Sequence, residues 1–200
     1  MSKENKIVKL YKNLRKKYGH PQGQWKLWCK RPKSEKEREE VIIGAILTQR
    51  ANWKNVELAM NNLKKARMNS IRKIPADKIR LVSCIRPSGF YKQKGEYLCG
   101  LTKFISEKYG SVREMKKQPL PKLRRELLGV KGVGPETADS ILLYALDKPV
   151  FVIDEYTRRL LRARGAKYED LRNLFEKNLK KDYRLYQDFH ALIVIDGKNK

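Results

Sequence analysis

Apolar residues recur three and four positions apart along almost the whole chain, while the strict alternation of a half-buried strand is nearly absent. A chain patterned this way can bury its apolar surface only by packing helices on one another, so the fold class read from it is all-α. The segments divide accordingly. A basic N-terminal helix is followed by a polar loop carrying Trp25 and Trp28. Ser34 then stands three residues before Glu37, the spacing of a capping box, and opens a helix running to about Gln49 through "VIIGAILTQ". Further helices are predicted over "WKNVELAMNNLKKA", from "PADKIRLVSCI" with Pro75 in its first turn, and, after a break at "RPSGFYKQ", over a long amphipathic stretch that stops at Gly110. Short helices come next in "PLPKLRRELLG", "LLGVKGVGPETADSILLYA" and "DEYTRRLLRARG", the last ended by Gly165, and two more close the chain.

The 200 residues suffice for one domain or two small lobes sharing a cleft, and 40% hydrophobic content supports a real core. Against 22 acidic residues stand 47 Lys and Arg, a formal net charge of +25. That charge is spread over helical patterns and not gathered in a tail, so it reads as a basic face on a folded scaffold, with nucleic acid as the first partner. Cys29, Cys84 and Cys99 form no CxxC pair, which suggests neither a zinc site nor a disulfide framework. No segment has the apolar length of a signal peptide or a membrane span, and the expectation is a cytoplasmic protein without membrane association.

One stretch carries more than packing. In "LLGVKGVGPETADS", Gly132 and Gly134 lie two apart between helical patterns, a spacing that permits positive φ and close approach of the backbone to a partner. Pro135 restarts a helix whose first N–H groups, with Lys131 at the tip, suit a phosphate. An ordinary helix–turn–helix corner and a grip on the DNA backbone both fit this pattern. From the residues alone, Asp154 reads as the N-cap of "EYTRRLL".

The block "GVKGVGPETADSILLYALDKPVFVIDEYTRRLL" resembles the helix-hairpin-helix, Gly/Pro-rich loop and aspartate of the endonuclease III superfamily of base-excision DNA glycosylases. The likeness extends to "IIGAILTQRANWKNVELAM", "RPSGFYKQKGEYL" and "FHALIVIDGK", covering nearly everything from Glu40. Within that superfamily the chain is most similar to the monofunctional 3-methyladenine DNA glycosylases that lack an iron–sulfur cluster. The resemblance implies a two-lobed helical fold with a DNA-binding cleft between the lobes. Lobe one would comprise about 1–38 with about 152–200, and lobe two about 39–151, including the hairpin at about 121–145.

The same resemblance implies residue roles. Asp154 matches the essential aspartate, which stabilises positive charge on the sugar and orients or deprotonates the attacking water. Glu136 occupies the position where bifunctional relatives carry a lysine, and a carboxylate cannot form their Schiff base. Gln49 matches the side chain that fills the space vacated by a flipped base, and Phe90 the apolar wedge facing the orphaned partner. Lys131, Gly132 and Gly134 would contact the DNA backbone. Trp25 and Trp28 stand near the place where relatives stack aromatics on the base, although "QWKLWCKRPKSEKEREE" departs from the spacing of the 3-methyladenine enzymes. Gln49 also reads as a polar helix end, and Phe90 and at least one Trp as core. His20 and His190 read as structural, because no paired acid surrounds either in sequence, and Tyr144 reads as core.

The implied activity is hydrolysis of the glycosidic bond of a damaged base, most readily an alkylated purine such as 3-methyladenine, leaving an abasic site without intrinsic lyase activity. Alternatives are the same reaction on uracil, mismatched thymine or an oxidised base, or a non-catalytic hairpin protein. No cofactor is required, no metal site is read, and with no cysteine after Cys99 this chain holds no iron–sulfur cluster. A monovalent cation at the hairpin is a further family expectation. The expected partner is double-stranded DNA containing a damaged base, bound by a monomer.

Overall fold

A computed structural model describes residues 5–199, the Pro75 side chain excepted. In chain order the helices are α1 (Lys6–Tyr18), α2 (Trp25–Trp28), α3 (Glu35–Leu47), α4 (Trp53–Lys65), α5 (Lys78–Ile85), α6 (Tyr91–Tyr109) and α7 (Val112–Lys117). After these come α8 (Leu120–Leu128), α9 (Pro135–Ser140), α10 (Glu155–Leu160), α11 (Tyr168–Asn178) and α12 (Tyr183–Lys198). Single 3₁₀ turns occupy Ile74–Ala76 and Arg86–Ser88, and α9 runs on into a π-helical turn, Ile141–Ala145. Among the described residues there is no strand, so the all-α class holds.

The chain divides into two compact units, Met1–Arg31 with Asp147–Lys200, and Pro32–Leu146. In the first, α1 packs along α12 and against α11, and α10 lies on α12. Its core is aromatic: fully buried Phe151 stacks on Phe175 at 4.0 Å between ring centroids and meets the edges of Tyr186 and Phe189 at 5.5 and 5.6 Å. Phe151 belongs to the non-helical run 150–153, buried throughout, which delivers the next residue, Asp154, to the start of α10.

In the second unit α3 is central. Residues 41–47 are buried on every side, because α4, α6, α7 and the α9 segment all pack around this helix. A continuous apolar run is what such a position demands, each large side chain contributing about 2 kcal/mol. Both halves of the Ser34 and Glu37 capping box are formed. The α8–α9 hairpin is braced by Arg124, whose Nε and Nη2 donate to Asp139 Oδ1 and Oδ2 at 2.7 and 3.2 Å, with Asp139 fully buried.

The structure corrects four local expectations. Trp25 and Trp28 lie on a short helix, not in a loop. Pro75 sits in a separate 3₁₀ turn, and Asp77 caps the next helix, α5, by accepting from Arg80 N. A further helix, α7, occupies the stretch after Gly110. Helix α10 ends at Leu160, well before Gly165, because Arg162 takes a left-handed conformation (φ 53°) and Ala163 N–H reaches back to Arg158 O. That is the stop usually made by glycine.

Candidate active site

The capping reading of Asp154 is realised. Its Oδ1 caps α10, accepting from Thr157 N at 2.7 Å and from Thr157 Oγ1 at 2.8 Å, so the cap fixes the carboxylate plane. Its Oδ2 faces His190 Nε2 across 3.5 Å. Asp154 is 8% and His190 4% exposed, so the pair is largely screened from water. Burial alone would raise the carboxyl's pKa, but the His190 imidazole and the Thr157 donors outweigh it and hold the group below the usual carboxylate range. The result is an ionised, oriented carboxylate in a site of low polarity, where its field on a developing cation is strongest.

The neighbour of Asp154 that sequence reasoning did not find is His190. The paired acid it lacks in sequence is supplied in space, because α10 packs on α12. The one available signal was a histidine inside the buried run "FHALIVI", where an imidazole needs a polar partner. His190 also meets the edge of Trp25 at 5.8 Å, and Trp25 pairs edge-on with Trp28 at 6.0 Å. Both indoles are 7% exposed, so the tryptophans are core residues of this unit and Trp25 stands one ring from the Asp154 pair. At the end of α12, Lys198 Nζ donates to Gln24 Oε1 at 2.9 Å. Desolvation lowers the pKa of this amine, against the opposing pull of the Asp154 charge. His20 is exposed, and Tyr144 is fully buried in the second unit.

The remaining predicted residues belong to the second unit. Gly132 has φ 85°, and a Cβ there would fall 2.1 Å from Cγ of Tyr97, so the turn admits no side chain at this position. Gly134 differs from expectation: it is extended (φ −83°, ψ 178°) with open space around it, and caps α9 without needing a glycine's freedom. Lys131 and Glu136 are exposed on either side of this turn. Gln49 Nε2 donates to Gly132 O at 2.9 Å and to Thr137 Oγ1 at 3.0 Å, so the loop after α3 is tied to the hairpin tip. Phe90 is 59% exposed with φ 47°, a conformation that costs a bulky residue energy. An exposed aromatic held under strain is not the core residue that its type suggests.

Among the described residues no group of three or more His, Cys, Asp or Glu side chains could hold a metal ion, and no helix is long and apolar enough to cross a membrane. At the hairpin, Val130 O accepts from Val133 N and Gly132 O from Gln49 Nε2.

Three comparisons fix the family. Residues 43–184 match the model of the HhH-GPD superfamily base excision DNA repair protein. A Methanocaldococcus jannaschii protein, provisionally named a DNA repair glycosylase, is 47% identical over 96% of this chain and 88% of its own length. The crystal structure of H. pylori 3-methyladenine DNA glycosylase bound to 1,N6-ethenoadenine superposes with a TM-score of 0.77 at 30% identity, covering 96% of this chain and 95% of that one. A trapped endonuclease III–DNA covalent intermediate shares the fold, with a TM-score of 0.75 at 18% identity over 100% of this chain and 88% of that one. The chain belongs to the HhH-GPD superfamily, and it is a base-excision DNA repair glycosylase.

Proposed function

We propose that this glycosylase is monofunctional, that water is its nucleophile, and that its substrate is an alkylated purine such as 3-methyladenine, flipped from double-stranded DNA. The observation that carries the reading is the Asp154 carboxylate, one oxygen locked by Thr157 and the other facing His190. Cleavage of an N-glycosidic bond places positive charge on the sugar, and a desolvated, preoriented carboxylate stabilises that charge without reorganising. The same carboxylate orients the water that attacks the sugar carbon and takes its proton, while the base leaves with the bonding pair. His190 acts as a positioning residue that holds Asp154 in its ionised state.

Glu136 supports the monofunctional assignment, because its carboxylate offers no amine for an imine with the sugar. The alkylated-purine assignment is supported by a likeness of 30% identity to the H. pylori 3-methyladenine enzyme, covering 95% of that chain. On the DNA, Gln49 and Phe90 fill the gap left by the flipped base, while Lys131 and the turn at 132–134 grip the backbone. The test is chromatography of bases released from methylated duplex DNA. Release of 3-methyladenine is expected; release only of uracil, thymine or an oxidised base from the matching substrates would keep the mechanism and replace the substrate.

A further inference from the structure

Lys94 is the least expected buried group in the molecule. It lies in the first turn of α6, is 2% exposed, and faces main chain: Nζ donates to Leu47 O at 2.8 Å and to Ser88 O at 2.7 Å. Burying an ammonium is costly unless its protons are satisfied, so a position that retains one has a reason to do so. Desolvation brings its pKa down to about 8, which leaves it mainly protonated at neutral pH. Leu47 is the last residue of α3 and Ser88 the last of the Arg86–Ser88 turn, so both carbonyls belong to helical ends that lack an onward partner. A cation is favoured there.

Each bound carbonyl lies just ahead of a residue read as entering the DNA. Two residues after Leu47 comes Gln49, and two residues after Ser88 comes Phe90. Both tips contain a non-glycine residue at positive φ, Arg50 at 48° and Phe90 at 47°. Such conformations persist only where their surroundings impose them. One buried side chain therefore fixes the root of both tips.

We propose that Lys94 is a positioning residue for lesion recognition, setting the spacing between the Gln49 and Phe90 tips so that both side chains enter the duplex together. This rests on the reading of Gln49 and Phe90 as the gap-filling pair. Removing the ammonium leaves two buried carbonyls unpaired and both tips free to shift, while the DNA-facing surface is unchanged. Intact DNA should then bind as before, and the preference for a gapped stack should fall.

The experiment measures affinity for a duplex carrying one tetrahydrofuran abasic analogue against the same duplex intact, using the full chain. Lys94→Met, similar in length and apolar, is expected to lose about tenfold in this preference with intact-duplex binding unchanged. Added to a Gln49→Ala, Phe90→Ala background, it should cost nothing more, because the side chains it positions are gone. Should Lys94→Met not fold, Lys94→Gln serves in both backgrounds, its amide one atom too short to reach both carbonyls, with a loss of about threefold expected. An unchanged preference, an equal loss on both duplexes, or a full further loss in the double-variant background would overturn the role of Lys94. If the Gln49→Ala, Phe90→Ala variant itself keeps the wild-type preference, the gap-filling reading fails and takes this proposal with it; that outcome is distinct, because it is read before Lys94 is touched.

Discussion

At Asp154 the observed cap and the proposed catalytic charge share one side chain, and they can be separated by substitution. Asn keeps the oxygen that accepts from Thr157 and Ala does not. Asp154→Asn should therefore keep the cap with excision abolished, whereas Asp154→Ala should lose excision and melt about 1 kcal/mol less stable than Asp154→Asn, read by denaturant melts beside excision assays. The lowered pKa also sets a pH dependence. The folded carboxyl titrates below its unfolded value, so its contribution to stability is complete above about pH 4 and is lost as the pH falls through the lower folded value. His190 is one of the groups holding that value down. His190→Gln should consequently move the acid limb of the single-turnover excision rate to higher pH, and a limb that stays in place would remove His190 from the mechanism. By resemblance Asp154 is implied to be the essential acid, and from sequence it was legible as a cap. Its pairing with His190 was not, because nothing in the spacing of two distant residues encodes the packing of α10 on α12.

At the scale of elements, the hairpin rests on one glycine and not two. Gly132→Ala would push a methyl group into the Tyr97 ring at a left-handed position, and should cost about 2 kcal/mol or more and weaken DNA binding. Gly134→Ala, extended and unobstructed, should melt within about 0.5 kcal/mol of wild type. Equal effects of the two would contradict the turn geometry. The sequence shows two glycines two residues apart, but only the packing of Tyr97 tells which one is obligatory. Elsewhere, periodicity was a sound guide wherever a helix buries one stripe, as in α4, or is buried all round, as in α3. It failed where helices are only a turn or two long, as in α2 and α7, and at the end of α10, where Arg162 assumes a backbone conformation that sequence assigns to glycine. Phe90 shows the same limit: residue type suggests core, while the strained, exposed conformation suggests a partner.

For the whole molecule, a net charge of +25 makes counterion release the dominant part of affinity for DNA of any sequence. Lys131→Ala should weaken binding uniformly and reduce the slope of log K against log salt by about 1, without altering which base is removed. Charge and helical patterning were enough to expect an all-helical nucleic-acid binder. In the proposed reaction the charge is supplied by Asp154, brought by a buried non-helical segment to the start of a six-residue helix, and the carboxylate of Glu136 stands in place of an amine. The most direct measurement uses end-labelled duplexes bearing methylated purines, with wild type and Asp154→Asn compared and strand breaks read before and after hot alkali. Breaks only after alkali, and only with Asp154 present, are predicted for a water-using enzyme that leaves an abasic site. Breaks before alkali, accompanied by a borohydride-trapped protein–DNA adduct, would contradict it and turn attention to an amine such as Lys198.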